Sequence, residues 1–301
     1  MQMKGLLYAG ITALCWGFLA IGLKVAAGFV SSYDIVWFRL GIAFIFLFGY
    51  FLIKHPSSLR ILVRPPWKLL LAAILLGINY IGFMNGVIYT DPNVSQVLIQ
   101  IGPILLGAAG FFIFKEKINY KQGIGFLIAA FGLFLFYREN LGVFIQQAEV
   151  FNKGVWWIVF AAVSWTGYAI LQKQLLRTVS AMEMNMVIFG LPMLLFTPFV
   201  GFPHLAALSF WQWILLISLG LNTLVAYGTL ALALQYADTN KVSVIITMNP
   251  IITVILMAFI SYFEVSWMDG RVLTIQGMIA AALVIGGGTM AVLLKSSKKK
   301  R

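Results

Sequence analysis

The stretch Tyr89-Thr90-Asp91-Pro92-Asn93 is followed by Pro103, and the pattern returns as Tyr236-Ala237-Asp238-Thr239-Asn240 followed by Pro250. The four residues that the two stretches share (Tyr, Asp, Asn and Pro) are all offset by 147 positions. A second set of matches is offset by 149: Ala13, Trp16, Ala20, Ile21 and Lys24 correspond to Ala162, Trp165, Ala169, Ile170 and Lys173. Two sets in register along the chain indicate an internal repeat, which decides the architecture before any single motif does.

The composition indicates that the solvent around this protein is lipid. The chain has 301 residues, of which 61% are apolar and 10% charged, and its mean hydropathy is +0.96. Soluble domains are about 45–50% apolar and about 25% charged. One cysteine and two histidines are too few for a His/Cys metal cluster or a Ser-His-Asp triad. We therefore predict no catalytic residue, no metal site and no cofactor.

Apolar runs between polar breaks predict ten membrane-spanning helices, because a crossing needs about 20 helical residues. Backbone groups in lipid must be satisfied within the segment, which favours helices over open strands. The first run is long enough to span and is interpreted as a helix rather than a cleaved signal. The predicted spans are 5–25, 34–53, 68–89, 92–114, 119–137, 153–173, 182–201, 211–235, 239–262 and 272–294.

The distribution of basic residues predicts the orientation of these spans. With a cytoplasmic N-terminus, most of the 21 lysines and arginines fall on the cytoplasmic side, and both termini face the cytoplasm. The basic residues left on the other side are Lys24, Arg39, Arg138, Lys153 and Arg271. Basic loops beside anionic lipid account for the net charge of +12, so the lipid bilayer is a predicted partner and nucleic acid is not.

The repeat divides the chain into residues 1–140, a linker at 141–152, and residues 153–301 with a basic tail. Five spans in each half are an odd number, so the second half enters the membrane inverted relative to the first. Inverted repeats are typical of secondary transporters, which bind a small-molecule substrate near the midplane and expose it alternately to each side. The predicted fold is therefore an all-α membrane protein with two inverted five-helix repeats. Glycines in spans five and ten can pack within a monomer or in a homodimer, and spacing does not separate these alternatives.

At this level the chain resembles the EamA family of the drug/metabolite transporter superfamily. The resemblance rests on the tryptophan in the first helix of each half, on the proline in the fourth helix of each half, and on Phe38-Arg39-Leu40 opening the second helix. It also rests on Glu116 and Glu264, each followed by a Gln-Gly pair. The resemblance implies transport of amino acids, other metabolites or drug-like compounds across a bacterial cytoplasmic (inner) membrane. Arg39 has no counterpart in the second half, where Ile188 stands.

Polar residues on one face of spans four and nine are the first candidate site. Their spacings of three and four place them on one helical side: Asn93, Gln96 and Gln100, then Asn240, Ser243 and Thr247. Pro103 and Pro250 each remove a backbone donor and are predicted to bend their helices. The two faces are predicted to line the transport pathway. The alternative is that they form hydrogen bonds between helices, as polar residues in membranes often do.

Further substrate-binding candidates lie in the other helices. They are Asn79 and Tyr80 in span three, Tyr227 in span eight, and Trp16, Trp165 and Tyr168 near mid-depth in spans one and six. These aromatic rings are candidates for stacking on a substrate or for packing at the repeat interface. Arg39 is predicted either to hold a carboxylate or phosphate of the substrate, or to reach the interface or pair with Asp34.

The sequence therefore predicts a secondary transporter of small metabolites, with amino acids as one candidate class. No acidic residue lies at the centre of a span and no phosphate-binding loop is present, so export by exchange or facilitated diffusion is favoured over proton-driven or ATP-driven transport. One alternative is an exporter of organic cations with an aromatic cage. A channel, a lipid-modifying enzyme and a structural or scaffolding protein are the remaining alternatives, the last of which leaves the inverted symmetry unexplained.

Overall fold

The computed structural model describes residues 2–112, 120–143, 145–237, 242, 245–265 and 272–293, and these residues contain helices and no strand. The α-helices are α1 (Gln2–Ala26), α2 (Ser32–Lys54), α3 (Arg60–Val63), α4 (Trp67–Tyr89), α5 (Pro92–Leu98), α6 (Ile101–Phe112), α7 (Tyr120–Val143), α8 (Ala148–Leu175), α9 (Ala181–Phe196), α10 (Phe202–Ala206), α11 (Phe210–Tyr236), α12 (Asn249–Tyr262) and α13 (Ile275–Leu293). Three short 3-10 helices lie at Pro56–Leu59, Ile145–Gln147 and Thr197–Phe199.

Seven stretches of the described chain are long and apolar enough to cross a membrane. They are Met3–Ala26, Ser32–Lys54, Trp67–Tyr89, Tyr120–Gly142, Ile145–Leu175, Ala181–Phe199 and Phe210–Ala233. Three shorter apolar helical stretches, Pro92–Leu106, Asn249–Tyr262 and Ile275–Ala291, fall within the other three predicted spans. The prediction of an all-helical membrane protein is confirmed for the described residues. Within the predicted linker 141–152, α7 continues to Val143 and α8 begins at Ala148.

Corresponding helices of the two halves begin with the same capping device. Ser31 caps α2 and Ser180 caps α9; in each case the serine hydroxyl accepts from a backbone N–H three residues later. The carboxylates of Asp34 and Glu183 accept from the serine N–H in return. Such capping boxes satisfy donors that a helix start leaves free and contribute about 1 kcal/mol each. The two boxes are offset by 149 residues, as the first-helix matches are.

Helices from the first half of the chain pack mainly against helices from the second half. Helix α1 packs against α11 and α12, and we name these three the first helix group. Helix α8 packs against α4 and α6, and these three form the second helix group. Helix α2 joins α11, α9 joins α4, and α2 and α9 contact each other between the groups. The core of buried apolar side chains lies among these helices, and long apolar side chains such as Leu127 and Phe131 of α7 stay exposed, as on a lipid-facing surface.

Helices α7 and α13 pack closely against each other through glycine. A Cβ at Gly125 would overlap the backbone nitrogen of Ala291, and a Cβ at Gly287 would overlap that of Ala129. At Gly132 a Cβ would lie 2.7 Å from the backbone nitrogen of Val284. Small residues let two membrane helices approach at backbone distance. The glycines at Gly125, Gly132 and Gly287 therefore pack within one chain.

The fourth predicted span is interrupted just before its proline. Helix α5 ends at Leu98 and α6 begins at Ile101, with a turn at Ile99 and Gln100. Proline lacks an N–H and its ring disfavours helical geometry at the carbonyl four residues earlier, which for Pro103 belongs to Ile99. A similar turn at Thr247 and Met248 precedes α12, whose second residue is Pro250.

Candidate functional site

Arg39 is the charged residue at the centre of the candidate site. It lies in α2 and is only 2% exposed. Its Nε donates to the hydroxyl of Thr223 in α11 at 3.1 Å, and its guanidinium carbon lies 4.8 Å from the centre of the Tyr80 ring in α4. Thr223 in turn donates to the carbonyl of Leu219 at 3.0 Å, which fixes the orientation of its hydroxyl.

The predicted alternative partner of Arg39, Asp34, is engaged elsewhere. The two carboxylate oxygens of Asp34 accept from Ser31 and from the N–H of Gly201, the latter at 2.7 Å. Within the described part of the chain, no carboxylate forms an ion pair with Arg39. A charge buried without a counter-ion in a membrane protein is costly, and such residues mark substrate or ion pathways.

Aromatic side chains surround this cation. Tyr227 of α11 stacks on Tyr80 with 6.1 Å between ring centres, and Trp16 of α1 meets Tyr227 edge-on at 5.8 Å. Phe189 of α9 contacts another side of Tyr227, also at 5.8 Å. Tyr168 of α8 is completely buried and is an electrostatic neighbour of Tyr80 and Tyr227. The structure thus brings together five predicted site residues from five helices: Trp16, Arg39, Tyr80, Tyr168 and Tyr227. We name them the Arg39 cluster.

Several polar atoms in and around the Arg39 cluster have unused hydrogen-bonding capacity. Whereas the hydroxyl of Tyr80 has Tyr227 and Thr223 as polar neighbours, the hydroxyl of Tyr168 is buried and has no hydrogen-bond partner among the described residues. The same holds for the side-chain oxygens of Asn185 and Asn222. Buried polar groups are normally paired, so an unpaired set beside a buried cation indicates a site that a ligand completes.

Asn185 and Phe189 of α9 were not predicted from the sequence. Asn185 donates from its Nδ2 to the carbonyl of Tyr227 at 3.5 Å, which places it beside the Arg39 cluster. The sequence could have indicated Asn185, because it is a polar side chain that follows Glu183 among apolar residues of the predicted span. Thr223 had been noted in the sequence as a polar residue of span eight, next to Asn222, which corresponds to Asn79 of the first half at an offset of 143.

The polar residues Gln96 and Gln100 of the fourth span are not members of the Arg39 cluster, and their side chains form hydrogen bonds to other helices. Gln96 donates from Nε2 to the carbonyl of Trp16 at 2.7 Å. Gln100 donates from Nε2 to the side-chain oxygen of Asn249 at 3.0 Å and to the carbonyl of Gln96 at 3.2 Å. Thr247 is buried, and Ser243 lies outside the described residues. The observed bonds of Gln96 and Gln100 follow the alternative of hydrogen bonds between helices.

Two further candidates also make contacts between helices. Asn79 donates to the carbonyl of Ala161 in α8 at 2.9 Å. Trp165 packs against α6, where a Cβ at Gly102 would lie 3.1 Å from the indole ring. Pro103 and Pro250 stand beside the helix breaks, and Glu264 lies in the turn after α12 with a positive φ of 46°. Glu116 lies outside the described residues.

The Arg39 cluster lies between the two helix groups. Thr223 and Tyr227 belong to α11 of the first group, whereas Tyr80 belongs to α4 of the second. Arg39 touches both groups through its bond to Thr223 and its position over Tyr80. Gln96 of α5 bonds to α1, and Gln100, in the turn after α5, bonds to α12, so both bonds are made to the first helix group. Any relative movement of the two groups must therefore change the surroundings of Arg39.

Comparisons with known proteins agree with a transport protein. The EamA-like transporter family matches residues 3–138 and 152–291. The inner membrane transporter YhbE of Escherichia coli (strain K12) is 33% identical over 289 residues, covering 94% of this chain and 89% of its own. An uncharacterized transporter of Haemophilus influenzae is 30% identical over 292 residues, covering 97% and 95%. A solved crystal structure shares the fold, with a TM-score of 0.68, 17% identity and 98% coverage of both chains.

Proposed function

Because the chain belongs to the EamA-like transporter family, we propose that it is a secondary transporter of small metabolites that carry a carboxylate. Amino acids are one such class. Membership of the family supports the transporter role and the inner membrane location of its relatives supports the same location here. The substrate class is our own inference from the site.

The observation that carries the substrate class is that the buried Arg39 makes a single hydrogen bond within the described part of the chain. A guanidinium offers five N–H donors in a planar fork, and here one of them is used, toward Thr223. The fork matches the two oxygens of a carboxylate, and such charge-assisted pairs are about twice as strong as neutral hydrogen bonds. A substrate carboxylate would supply the counter-ion that the described residues do not.

The aromatic rings of the Arg39 cluster indicate the chemical character of the substrate beyond its carboxylate. Tyr227 is an electrostatic neighbour of Arg39, and Trp16 meets Tyr227 edge-on. The buried hydroxyl of Tyr168, which has no partner among the described residues, can donate a hydrogen bond. A small metabolite with an anionic head and an apolar body fits this arrangement. Neutral polar atoms of the body would meet the unpaired oxygens of Asn185 and Asn222.

The same geometry disfavours an organic cation as the substrate. An aromatic cage binds a cation above the ring faces, at about 6 Å or less from the ring centre. At Tyr80 that position is already filled by the guanidinium of Arg39, 4.8 Å from the ring centre. A cationic substrate would also be repelled by Arg39 in surroundings that contain little water.

We further propose ten spans in two inverted repeats that work by alternating access. The three shorter apolar helices supply the additional spans, and the matching capping boxes and the exchange of helices between groups support the repeat. With both termini in the cytoplasm, substrate would bind between the groups and be released as they rock. No acidic residue lies at the centre of a predicted span, which favours exchange or facilitated diffusion as the mode of export.

Counterflow in proteoliposomes tests the substrate class. Vesicles containing the full chain are preloaded with unlabelled amino acids, with hydroxy acids, or with quaternary amines, and the uptake of a labelled member of each class is followed. Uptake driven by a carboxylate class supports the proposal. Uptake driven by quaternary amines alone, or by none of the three classes, contradicts the assignment of a carboxylate to Arg39.

A second measurement separates carrier from channel and exchange from proton coupling. A carrier gives saturable flux that is stimulated by substrate on the opposite side, whereas single-channel currents would indicate a pore. Flux that collapses without a pH gradient would contradict exchange and facilitated diffusion. Protein in vesicles without internal substrate is the matched control for the exchange component.

A further inference from the structure

One lipid-facing stripe of α8 carries an unusual set of side chains. Lys153, Trp156, Trp157 and Phe160 are spaced by three and four residues and therefore lie on one face of the helix. Together they line a surface pocket of about 270 Å³, which we name the Lys153 pocket. Trp156 is 71% exposed and Phe160 is 51% exposed, so the pocket opens toward the surroundings of the protein rather than toward the Arg39 cluster.

The Lys153 pocket is charged at one end and apolar at the other. Lys153 lies near the start of α8, and its ammonium nitrogen lies 4.6 Å from the centre of the Tyr89 ring at the end of α4. Phe160 lies seven residues further along, about 10 Å deeper at the helical rise of about 1.5 Å per residue. That distance is well within one leaflet of a bilayer whose hydrocarbon core is about 30 Å thick.

This polarity gradient matches one lipid molecule in its normal orientation. We propose that the Lys153 pocket binds an anionic phospholipid, with the headgroup phosphate at Lys153 and an acyl chain along Trp157 and Phe160. An ammonium placed over a ring face keeps N–H donors free for phosphate oxygens. A free phosphate ion would use the charged end alone and leave the apolar end without a partner.

The distribution of basic residues supports a specific role for Lys153. It is one of the few basic residues that the sequence places away from the cytoplasmic side, where positive charge is normally sparse. Of the others, Lys24 is held by backbone carbonyls and Arg39 is buried in the Arg39 cluster. Lys153 is exposed, and it is the first residue of the predicted span 153–173, where a span meets the lipid headgroups.

Quenching of tryptophan fluorescence by brominated lipids tests the proposal. The full chain is reconstituted in phosphatidylcholine vesicles containing increasing amounts of dibrominated phosphatidylglycerol or of dibrominated phosphatidylcholine. The pocket's share of the quenching is the part lost in the double variant Trp156→Phe/Trp157→Phe. We expect this share to show a preference of about fivefold for phosphatidylglycerol, the size that one lysine near an anionic surface provides.

Matched variants identify Lys153 as the source of the preference. Lys153→Gln should abolish the preference, Lys153→Arg should keep it, and Arg138→Gln, which removes another exposed charge, should leave it unchanged. Equal quenching by the two lipids in the wild type would overturn the proposal and leave an unselective aromatic belt. A preference that survives Lys153→Gln would overturn it as well.

Discussion

At the scale of single residues, two positive side chains in membrane helices are treated in opposite ways. Lys24 of α1 donates to three backbone carbonyls at the end of α4, those of Val87, Ile88 and Thr90, at 2.8 to 3.0 Å. Arg39 of α2 has a single hydrogen bond within the described chain. The first arrangement satisfies all three donors of an ammonium and is structural. The second leaves donors available, which is what a binding site requires.

Replacing Arg39 should therefore remove transport and leave the fold intact. We expect Arg39→Gln to lower counterflow of the carboxylate substrate by about 10- to 100-fold, because a charged hydrogen-bond partner contributes about 1.5–3 kcal/mol. Arg39→Lys should keep part of the flux, since an ammonium offers the charge and not the planar fork. Flux is measured in proteoliposomes at equal protein content, with Arg138→Gln as the control for the loss of one charge. Unchanged flux in Arg39→Gln would disprove the role of this residue in substrate binding.

Replacing Lys24 should have the opposite pattern and affect stability first. Lys24→Met removes the donor from three carbonyls at the end of α4, and we expect the free energy of unfolding to fall by about 1.5–3 kcal/mol. Thermal unfolding of the purified protein in detergent measures the effect. Lys4→Met makes the same change at an exposed position of the same helix and should shift stability by less than about 0.5 kcal/mol. Equal effects of the two substitutions would show that the contacts of Lys24 do not stabilise the fold.

At the scale of helices, the two interrupted spans are connected at their breaks. Gln100 lies in the turn between α5 and α6, and its amide donates to Asn249, the first residue of α12. The turn before α12 is the counterpart of the turn at Gln100 in the other half of the chain. The two breaks are thus joined by one side-chain hydrogen bond between the halves of the chain.

A double-mutant cycle measures this connection. Gln100→Ala and Asn249→Ala should each destabilise the protein, and the double variant should cost less than the sum of the two. We expect a coupling of about 0.5–1 kcal/mol, the usual size for hydrogen bonds between membrane helices. Gln96→Ala paired with Asn249→Ala is the control, because Gln96 bonds to Trp16 instead. Additive effects of Gln100→Ala and Asn249→Ala would rule out an energetic link between the breaks.

Neighbouring glycines of α13 provide a sharp test of its packing on α7. A Cβ at Gly287 would overlap the backbone of Ala129, whereas a Cβ at Gly286 would meet nothing within 4 Å. Gly287→Ala should lower the free energy of unfolding by about 1–3 kcal/mol, the usual cost of overpacking. Gly286→Ala should be neutral or stabilising by up to about 1 kcal/mol, because alanine favours helices. If both variants unfold at the wild-type temperature, the close approach of α7 and α13 is not rigid.

Sequence reasoning predicted the helices and part of the candidate site, and the reasons differ. Runs of apolar residues are local, so most ends of the seven long spans could be predicted within a few residues. Trp16 and Tyr168 were selected because aromatic residues far from the helix ends do not fit an interfacial belt, and Arg39 because a charged residue inside a span is unusual wherever it packs. The hydrogen bond from Arg39 to Thr223 joins residues 184 positions apart, and no local pattern reports it. The turn at Gln100 was equally hidden, since Pro103 predicts a bend and not the residue at which the helix stops.

At the scale of the whole molecule, several contacts of the described residues join α1 and α2 to α4 and to the segment after α9 at one end of the helices. There Lys24 of the first group holds the end of α4 in the second. The hydroxyl of Ser32, at the start of α2, donates to Asn85 of α4 at 2.7 Å. The Asp34 carboxylate accepts from Gly201, and the Trp37 indole donates to Thr197 at 3.0 Å. If the proposed alternating access passes through the Arg39 cluster, these contacts must open in each transport cycle.

Locking this end should therefore stop transport. In a Cys15→Ala background, which removes the sole native cysteine, Ser32→Cys and Asn85→Cys place two thiols where the wild type has a 2.7 Å hydrogen bond between α2 and α4. We expect an oxidant to form the disulfide, counterflow to fall by about tenfold or more, and a reductant to restore it. The fraction of cross-linked protein is read from the thiols left free to label, and each single-cysteine variant treated with oxidant is the control. Full flux through completely cross-linked protein would show that α2 and α4 need not separate at this end. The helices that move would then have to be others, such as α7 and α13 or helices within one group.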